Sequence, residues 1–175
     1  AMKKYKAIAI PVSFAGNIPR FLTVRDKRFK EWIFVTGGCK RREMYYPLRC
    51  ALRELREETR GVVSLNNGEY TSFTFNVMES NNVELEYTVF ILYVDYTREQ
   101  QLELVRRFNE EKYKMYTKKI HVKRSYDEND YMSFDTLSEF NSRHRWDRIV
   151  QNVIQNADFY KCVTSRDRKS FYIKE

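Results

Sequence analysis

Apolar runs separated by short polar breaks lay out a chain rich in strands. Ala7 to Ser13 reads as a buried strand and Phe21 to Val24 as a second, with Gly16-Asn17 marking the turn between them, so a hairpin feeding a sheet is predicted. Trp32-Ile33-Phe34-Val35-Thr36 is a further short strand run, and it ends in Gly37-Gly38. Tyr70 to Met78 alternates as a half-buried strand does, Asn81-Asn82 marks a turn, and Leu85 to Val94, rich in β-branched and aromatic residues, reads as a central strand.

Three stretches have helical period instead. Leu48, Ala51, Leu52 and Leu55 form one apolar stripe on a helix that Pro47 is suited to begin, since proline is tolerated in a first helical turn. After it, Val62-Val63 returns toward the sheet. A second helix is predicted over about Glu99 to Lys112, with Leu102, Val105, Phe108 and Tyr113 as its apolar stripe. Trp146, Ile149, Val150, Val153 and Ile154 fall at i, i+3, i+4, i+7 and i+8, which makes a core-facing helix, and His144 beside it reads as a surface residue. The tail from Phe159 to Glu175 suits either a last strand or an extension of a basic face.

A chain of 175 residues, 42% hydrophobic and 15% aromatic, is expected to form a single domain over 1–175 with a sizeable core. No apolar run approaches the roughly 18 residues of a membrane span. The basic start Met2-Lys3-Lys4-Tyr5-Lys6 leads into too short an apolar stretch for a secretory signal. The expectation is a soluble cytoplasmic protein without a membrane partner, with Ala1 preceding the natural start. Cys39, Cys50 and Cys162 are odd in number and lack metal spacing, so reduced thiols are expected, with Cys39 a bystander in the glycine loop.

A formal charge of +8 and a pI near 9.3 suggest a polyanionic partner, either RNA or a highly phosphorylated small molecule. The cations are grouped. Arg25, Lys27, Arg28 and Lys30 precede Trp32, and Lys40, Arg41 and Arg42 follow the glycines; both groups read either as solvated loops or as anion-guiding rims. From Arg106 to Arg124, within an insertion at about 98–124, Arg106, Arg107, Lys112, Lys114, Lys118, Lys119, Lys123 and Arg124 face only Glu110 and Glu111. Tyr113, Tyr116 and His121 are interleaved with them, so the segment suits a single-stranded RNA surface as well as a solubilising helix.

The candidate chemistry sits between the glycine pair and the first helix. Glu54, Glu57 and Glu58 at i, i+3 and i+4 raise three carboxylates from one helical face, centred roughly 110° from the apolar stripe. Such a face is either solvated or aimed into a cleft. Two consecutive glycines let the backbone turn tightly and bring a bare carbonyl close, and carboxylates with a carbonyl are the hard oxygen ligands that Mg²⁺ or Mn²⁺ takes.

Gly37, then Glu43, then Arg53-Glu54-Leu55-Arg56-Glu57-Glu58 resembles the Nudix box of the Nudix hydrolase superfamily, whose pattern runs Gx5Ex7REUxEExGU. Two departures are visible. Nine residues rather than seven separate Glu43 from Arg53, and the closing glycine is Gly61 while Arg60 stands where the pattern places it. The resemblance implies an α/β fold, an α/β/α sandwich with a mixed sheet, here carrying the basic helical insertion. It assigns a metal, Mg²⁺ or Mn²⁺, to Glu57 and Glu58 with the Gly38 carbonyl, makes Glu54 a ligand or base, Arg53 an orienting partner and Glu43 an auxiliary acid. The acid-rich segment Asp127 to Leu137 resembles a late loop and strand of the family, with Glu128 as the candidate further acid and Asp127 second.

The family also implies a nucleoside diphosphate linked to a further group as substrate. The charge favours a long polyanion, the 5′ cap of mRNA, and the widened box with its basic insertion is similar in a general way to decapping members of large DNA viruses. Phosphates would then meet Arg28, Lys30, Lys40, Arg41, Arg42, Lys118, Lys119, Lys123 and Arg124. The alternatives are a pyrophosphatase for ADP-ribose, dinucleoside polyphosphates or diphosphoinositol polyphosphates, and a non-catalytic RNA-binding module.

Overall fold

A computed structural model describes residues 2–118 and 122–174, so Lys119 and His121 of the expected RNA surface lie outside the described residues. Its strands are β1 (Lys3–Ser13), β2 (Arg20–Asp26), β3 (Trp32–Ile33), β4 (Val35–Gly38), β5 (Asn67–Met78), β6 (Glu84–Tyr93), β7 (Asn129–Asp135) and β8 (Lys169–Tyr172). The helices are α1 (Pro47–Glu58), α2 (Arg98–Thr117), α3 (Leu137–Asn141), α4 (Asp147–Ile154) and α5 (Ala157–Thr164). Among the described residues no helix is long and apolar enough to cross a membrane.

The strands form one mixed sheet in the order β3-β2-β1-β6-β5-β8, with β4 also on β1 and β7 on β2. β1 and β6 pair in parallel and the other ladders are antiparallel. From Ala7 to Ser13 every residue of β1 is buried, whichever way it points, and Val89 to Leu92 of β6 behave likewise. Helices therefore cover both faces of the central strands, which is why these strands read as unbroken apolar runs. α1 packs on β1 and β4, α2 on β7, α5 on β5. The result is the mixed-sheet α/β architecture expected.

Several boundaries differ from the sequence reading, each for a physical reason. The run Trp32–Gly38 is two strands, because β3 pairs with β2 while β4 crosses to β1, with the buried ring of Phe34 at the junction. α2 extends to Thr117, and its buried stripe is Gln101, Leu104, Val105 and Phe108; Leu102 and Tyr113 are 53% and 67% exposed. Period alone placed Leu102 on that stripe, whereas Gln101 holds the position by donating to the Tyr96 carbonyl and accepting from Arg98. Trp146 precedes α4 and is partly exposed, its backbone N–H donating to the Trp32 carbonyl at 3.0 Å. The tail supplies both α5 and a strand, β8. Cys39 and Cys50 are joined by a disulfide rather than standing as reduced thiols, tying the glycine loop to α1 with a Cα–Cα distance of 5.3 Å. A cross-link over so short a loop contributes roughly 3 kcal/mol by restricting the unfolded chain.

The end of α1 explains the displaced glycine. Arg60, not Gly61, takes the first left-handed position, with φ +57 against φ +79 at Gly61, and the Gly61 N–H bonds back to the Arg56 carbonyl at 2.7 Å. A non-glycine residue there costs about 1–2 kcal/mol. The side chain offsets it. Arg60 is buried over the Phe108 ring and donates to Asp127 at 2.9 Å and to the Asn129 carbonyl at 2.6 Å, so one residue ties α1, α2 and the start of β7 together.

A sign test follows from this balance. Arg60→Ala should lose about 3 kcal/mol, because the Asn129 carbonyl and Asp127 lose a buried charged donor. Arg60→Gly should lose about 1 kcal/mol less, since glycine relieves the left-handed backbone. Urea denaturation would read the order directly; alanine proving the milder change would contradict it.

Candidate active site

Gly37 and Gly38 end β4 beside the first half of β1, where Lys6 pairs with Gly38 and Ala7 with Gly37. α1 lies across them. A Cβ on Gly37 would stand 2.0 Å from the Glu54 carboxyl carbon, so Glu54 occupies the space that a side chain at 37 would take. That close approach is what the first glycine is needed for; its backbone φ lies outside the left-handed region.

Arg53 organises the acids. Its Nε and Nη2 donate to the two oxygens of Glu43 at 2.8 and 2.9 Å, Nη1 donates to Glu54 at 3.0 Å and to Glu57 at 3.2 Å, and Nη2 also reaches the Gly38 carbonyl at 3.0 Å. Glu43, buried, accepts in addition from the Lys40 N–H at 2.8 Å. Burial works to raise the Glu43 carboxyl, but the Arg53 and Lys40 hydrogen bonds outweigh it and hold the carboxyl below its ordinary range. Glu43 thus serves as the anchor of Arg53. The two extra residues of the box are absorbed by the Met44–Tyr46 loop before Pro47, which leaves Glu43 facing the helix.

Glu58 is buried, and no donor reaches its Oε2. Its Oε1 accepts from Asn129 Nδ2 at 3.3 Å, and the same amide donates to the Glu58 carbonyl at 3.1 Å. Burial first, then the charge of Glu54 and a proton shared with it, push the Glu58 carboxyl well above the usual range. Glu54 is raised too, by burial and the Glu57 charge against the pull of Arg53 and Glu58.

Of these acids Glu54 and Glu57 open into a cavity of about 400 Å³ lined also by Thr36, Gly37, Gly38, Lys40, Arg53, Lys123, Ser125 and Glu128, while Glu58 lines an adjoining one. Glu128 is exposed at its edge, and its carboxyl is raised by partial burial and by the charges of Glu54, Asp26 and Glu57. A larger cavity of about 580 Å³ lies at the other end of β1, around Ser13, Tyr96 and Arg98. It holds none of these acids, and the chemistry belongs to the smaller one.

The donor set suits a hard divalent ion: three glutamates on one helical face, one of them with an orphaned buried oxygen, beside a strand-end carbonyl. Among the described residues no trio of acids, histidines or cysteines is drawn together in metal-binding geometry; Arg53 Nη1 bonds both Glu54 and Glu57.

The predicted cations divide. Lys40 and Lys123 line the cavity, and among the described residues neither they nor Arg41, Arg42, Lys118 and Arg124 pair with a carboxylate. Lys30 and Arg25 share Asp130 at 2.8 Å, and Lys27 is held by Asp127 at 2.6 Å, so three of the four cations before Trp32 are ion-paired; Arg28 lies on the Phe29 ring. Asp127, second choice for a further acid, is thereby committed to Lys27 and Arg60. On α2, Arg106 pairs with Glu103 and Glu110, Lys114 with Glu110 and Glu111, and Lys112 donates to the Asp130 carbonyl over the Tyr131 ring. Counting from Arg106 leaves out Glu103, one turn earlier, which is one of the two acids that hold Arg106. Asn129, Ser125 and Thr36 escaped the sequence reading, Asn129 despite standing in the acid-rich segment, because an amide carries no charge signal.

The family model for the NUDIX domain matches residues 4–130. The chain belongs to the Nudix family. It is a Nudix hydrolase, with the acids of the box gathered as described. Among solved structures it resembles a Nudix hydrolase of M. smegmatis, RenU, at TM-score 0.55 and 11% identity over 89% of each chain. It also resembles a C. elegans Ap4A hydrolase at TM-score 0.54 and 10% identity, over 89% of this chain and 98% of that one. The NUDIX domain of Shewanella oneidensis NrtR, solved with ADP ribose, matches at TM-score 0.53 and 11% identity, over 86% of this chain and 84% of that one. No curated protein sequence matches.

Two measurements probe the geometry. Gly37→Ala should fold with a Tm within a few degrees of wild type, because the clashing atoms are the mobile end of Glu54, yet lose about 100-fold or more in hydrolysis as that carboxylate is displaced. Equal activity would mean that Glu54 need not lie over the strand. In chelator, Glu58→Gln should raise Tm at neutral pH. A carboxyl whose folded pKa is raised contributes stability below its unfolded value, here 4.5, and loses it as pH rises, so the advantage of glutamine should shrink toward zero near that pH. An advantage that grew on acidification would show the opposite sign.

Proposed function

We propose that the chain is a metal-dependent pyrophosphohydrolase that cleaves a phosphoanhydride in a nucleoside diphosphate linked to a further group. The observation that carries this reading is the Arg53-centred set of Glu43, Glu54 and Glu57, of which Glu54 and Glu57 line a cavity that Lys40 and Lys123 also line. Glu54, Glu57, Glu58 and the Gly38 carbonyl would hold Mg²⁺ or Mn²⁺, which when bound neutralises phosphate charge and lowers the pKa of water. Lys40 and Lys123, which line the same cavity, would bind the phosphates. Arg53 fixes the acids relative to the Gly38 carbonyl. Glu128 lines the cavity with its carboxyl raised by partial burial and by the charges of Glu54, Asp26 and Glu57, and would take a proton from the attacking water.

Within that class we infer the 5′ cap of mRNA as substrate. Lys40 and Lys123 line the cavity, and they and their sequence neighbours Arg41, Arg42 and Arg124 are free of carboxylates among the described residues, so they could follow a backbone leaving it. A small substrate such as ADP-ribose, a dinucleoside polyphosphate or a diphosphoinositol polyphosphate is the second reading. It is favoured by the internal pairing of Arg106, Lys112 and Lys114, which removes most of α2 from an RNA path.

A panel of capped RNA, free cap dinucleotide, ADP-ribose, diadenosine tetraphosphate and a diphosphoinositol phosphate, assayed with Mg²⁺ and with Mn²⁺, separates these. Capped RNA should be cleaved with the highest kcat/KM, and Glu57→Gln should abolish turnover of every substrate cleaved. Cleavage surviving in Glu57→Gln would remove the enzyme reading, and capped RNA doing no better than the free dinucleotide would remove the long substrate.

A further inference from the structure

A second cavity, about 330 Å³, adjoins the first and shares Thr36 and Glu128 with it. We propose that it is a nucleobase pocket selective for guanine, with Glu31 reading the base edge and Phe29 and Trp146 packing on the ring. The proposal rests on the neighbouring cavity being the phosphate site.

The volume is within the range of small-molecule sites. Phe29 and Trp146 are 59% and 38% exposed although both line it, and Ile33 is buried beneath them. Both aromatic positions are held by backbone: the Phe29 N–H donates to Asp26 at 2.7 Å, and the Trp146 N–H donates to the Trp32 carbonyl at 3.0 Å. Large rings kept partly exposed on fixed backbone, with an apolar floor, present the flat surface on which a base stacks.

The polar lining is unusual for a protein of charge +8, because no lysine or arginine contributes to it. It has Asp26, Glu31, Glu58 and Glu128, with Asn129 as the one side-chain amide. Asp26 commits one oxygen to the Arg28 and Phe29 N–H groups. The Glu31 side chain has no hydrogen bond or ion pair among the described residues. A carboxylate only accepts, so at Glu31 a phosphate is repelled and the incoming group must present donors.

Among the bases, guanine sets N1–H and N2–H₂ side by side, a pair that one carboxylate accepts with both oxygens. Adenine and cytosine place an acceptor nitrogen next to their amino group, and uracil flanks its single N–H with carbonyls, so each turns a lone pair toward Glu31. A guanine made cationic by methylation at N7 adds attraction to the aromatic rings and to the acids. The arrangement thus fixes polarity: phosphates toward Lys40 and Lys123, base toward Glu31.

Nucleoside monophosphates have no phosphoanhydride, so their binding reads the pocket without turnover. Titrations followed by calorimetry should show GMP at least about fivefold tighter than AMP, as expected for a bidentate edge contact, with 7-methyl-GMP as tight or tighter than GMP. Glu31→Gln should bring GMP to the level of AMP, and Trp146→Leu should weaken all three several-fold, with Phe29→Leu as a second ring variant should Trp146→Leu fold poorly. AMP binding as well as GMP, GMP indifferent to Glu31→Gln, or no binding of any of the three at millimolar concentration overturns the pocket. Hydrolysis that depends on Glu57 but treats guanine and adenine substrates alike would overturn it while leaving the phosphate site intact.

Discussion

One guanidinium sets the order of this site. Arg53 meets Glu43, Glu54, Glu57 and the Gly38 carbonyl at once, so it compensates like charges that would otherwise drive α1 apart at its own surface and ties that helix to the end of β4. Four acceptors in different directions suit the flat fork of arginine, whereas a lysine could satisfy only a compact group. Glu43 gives Arg53 a two-point anchor on the loop, and the Cys39–Cys50 disulfide joins that same loop to α1. The acids are held in place by two links that do not themselves meet a substrate.

The opposite end of α1 is fixed by a second buried arginine. Arg60 reaches across to Asp127 and the Asn129 carbonyl while the Asn129 amide returns to Glu58. A residue forced into a left-handed backbone is therefore part of the support for the buried glutamate. The replacement of a glycine by arginine at this point couples the helix end to β7 and, through Phe108, to α2. The basic insertion thus has a structural role, packing its stripe on β7 and the Arg60 side chain.

The carboxylate helix, its apolar stripe, the glycine approach and the long strands were all legible, because each follows from a period or from a steric demand written in consecutive residues. What was not legible depends on partners distant in sequence. Lys27 and Lys30 looked like free cations until Asp127 and Asp130, a hundred residues away, were found against them. Cys39 and Cys50 became a pair only once a helix start and a loop were placed side by side. Leu102 lost its place in the core to Gln101, since a hydrogen-bonded amide can fill a buried position that a hydrophobicity pattern gives to a leucine. The position of Glu43 illustrates the intermediate case: its identity was readable, and its role emerged from the Arg53 fork.

Charge acts on two length scales here, and different residues carry each. At separations up to about a Debye length, roughly 8–10 Å in ordinary salt, an approaching polyanion senses the net excess of cations more than their individual pairing, and beyond that distance salt screens it. Neutralising Arg106 and Lys114 against neighbouring glutamates leaves that attraction in place, because the pairs were always counted in the total of +8. Inside the cavities the local pattern governs instead. There Lys40 and Lys123 stand beside the Arg53 cluster, while the adjoining cavity offers carboxylates and rings. An elongated ligand with an anionic end and a donor-rich end is consequently drawn in by the whole surface and oriented by a handful of side chains. On the proposed reading, the bond presented to Glu54, Glu57 and Glu58 would then be set by how far that ligand's phosphates lie from its base.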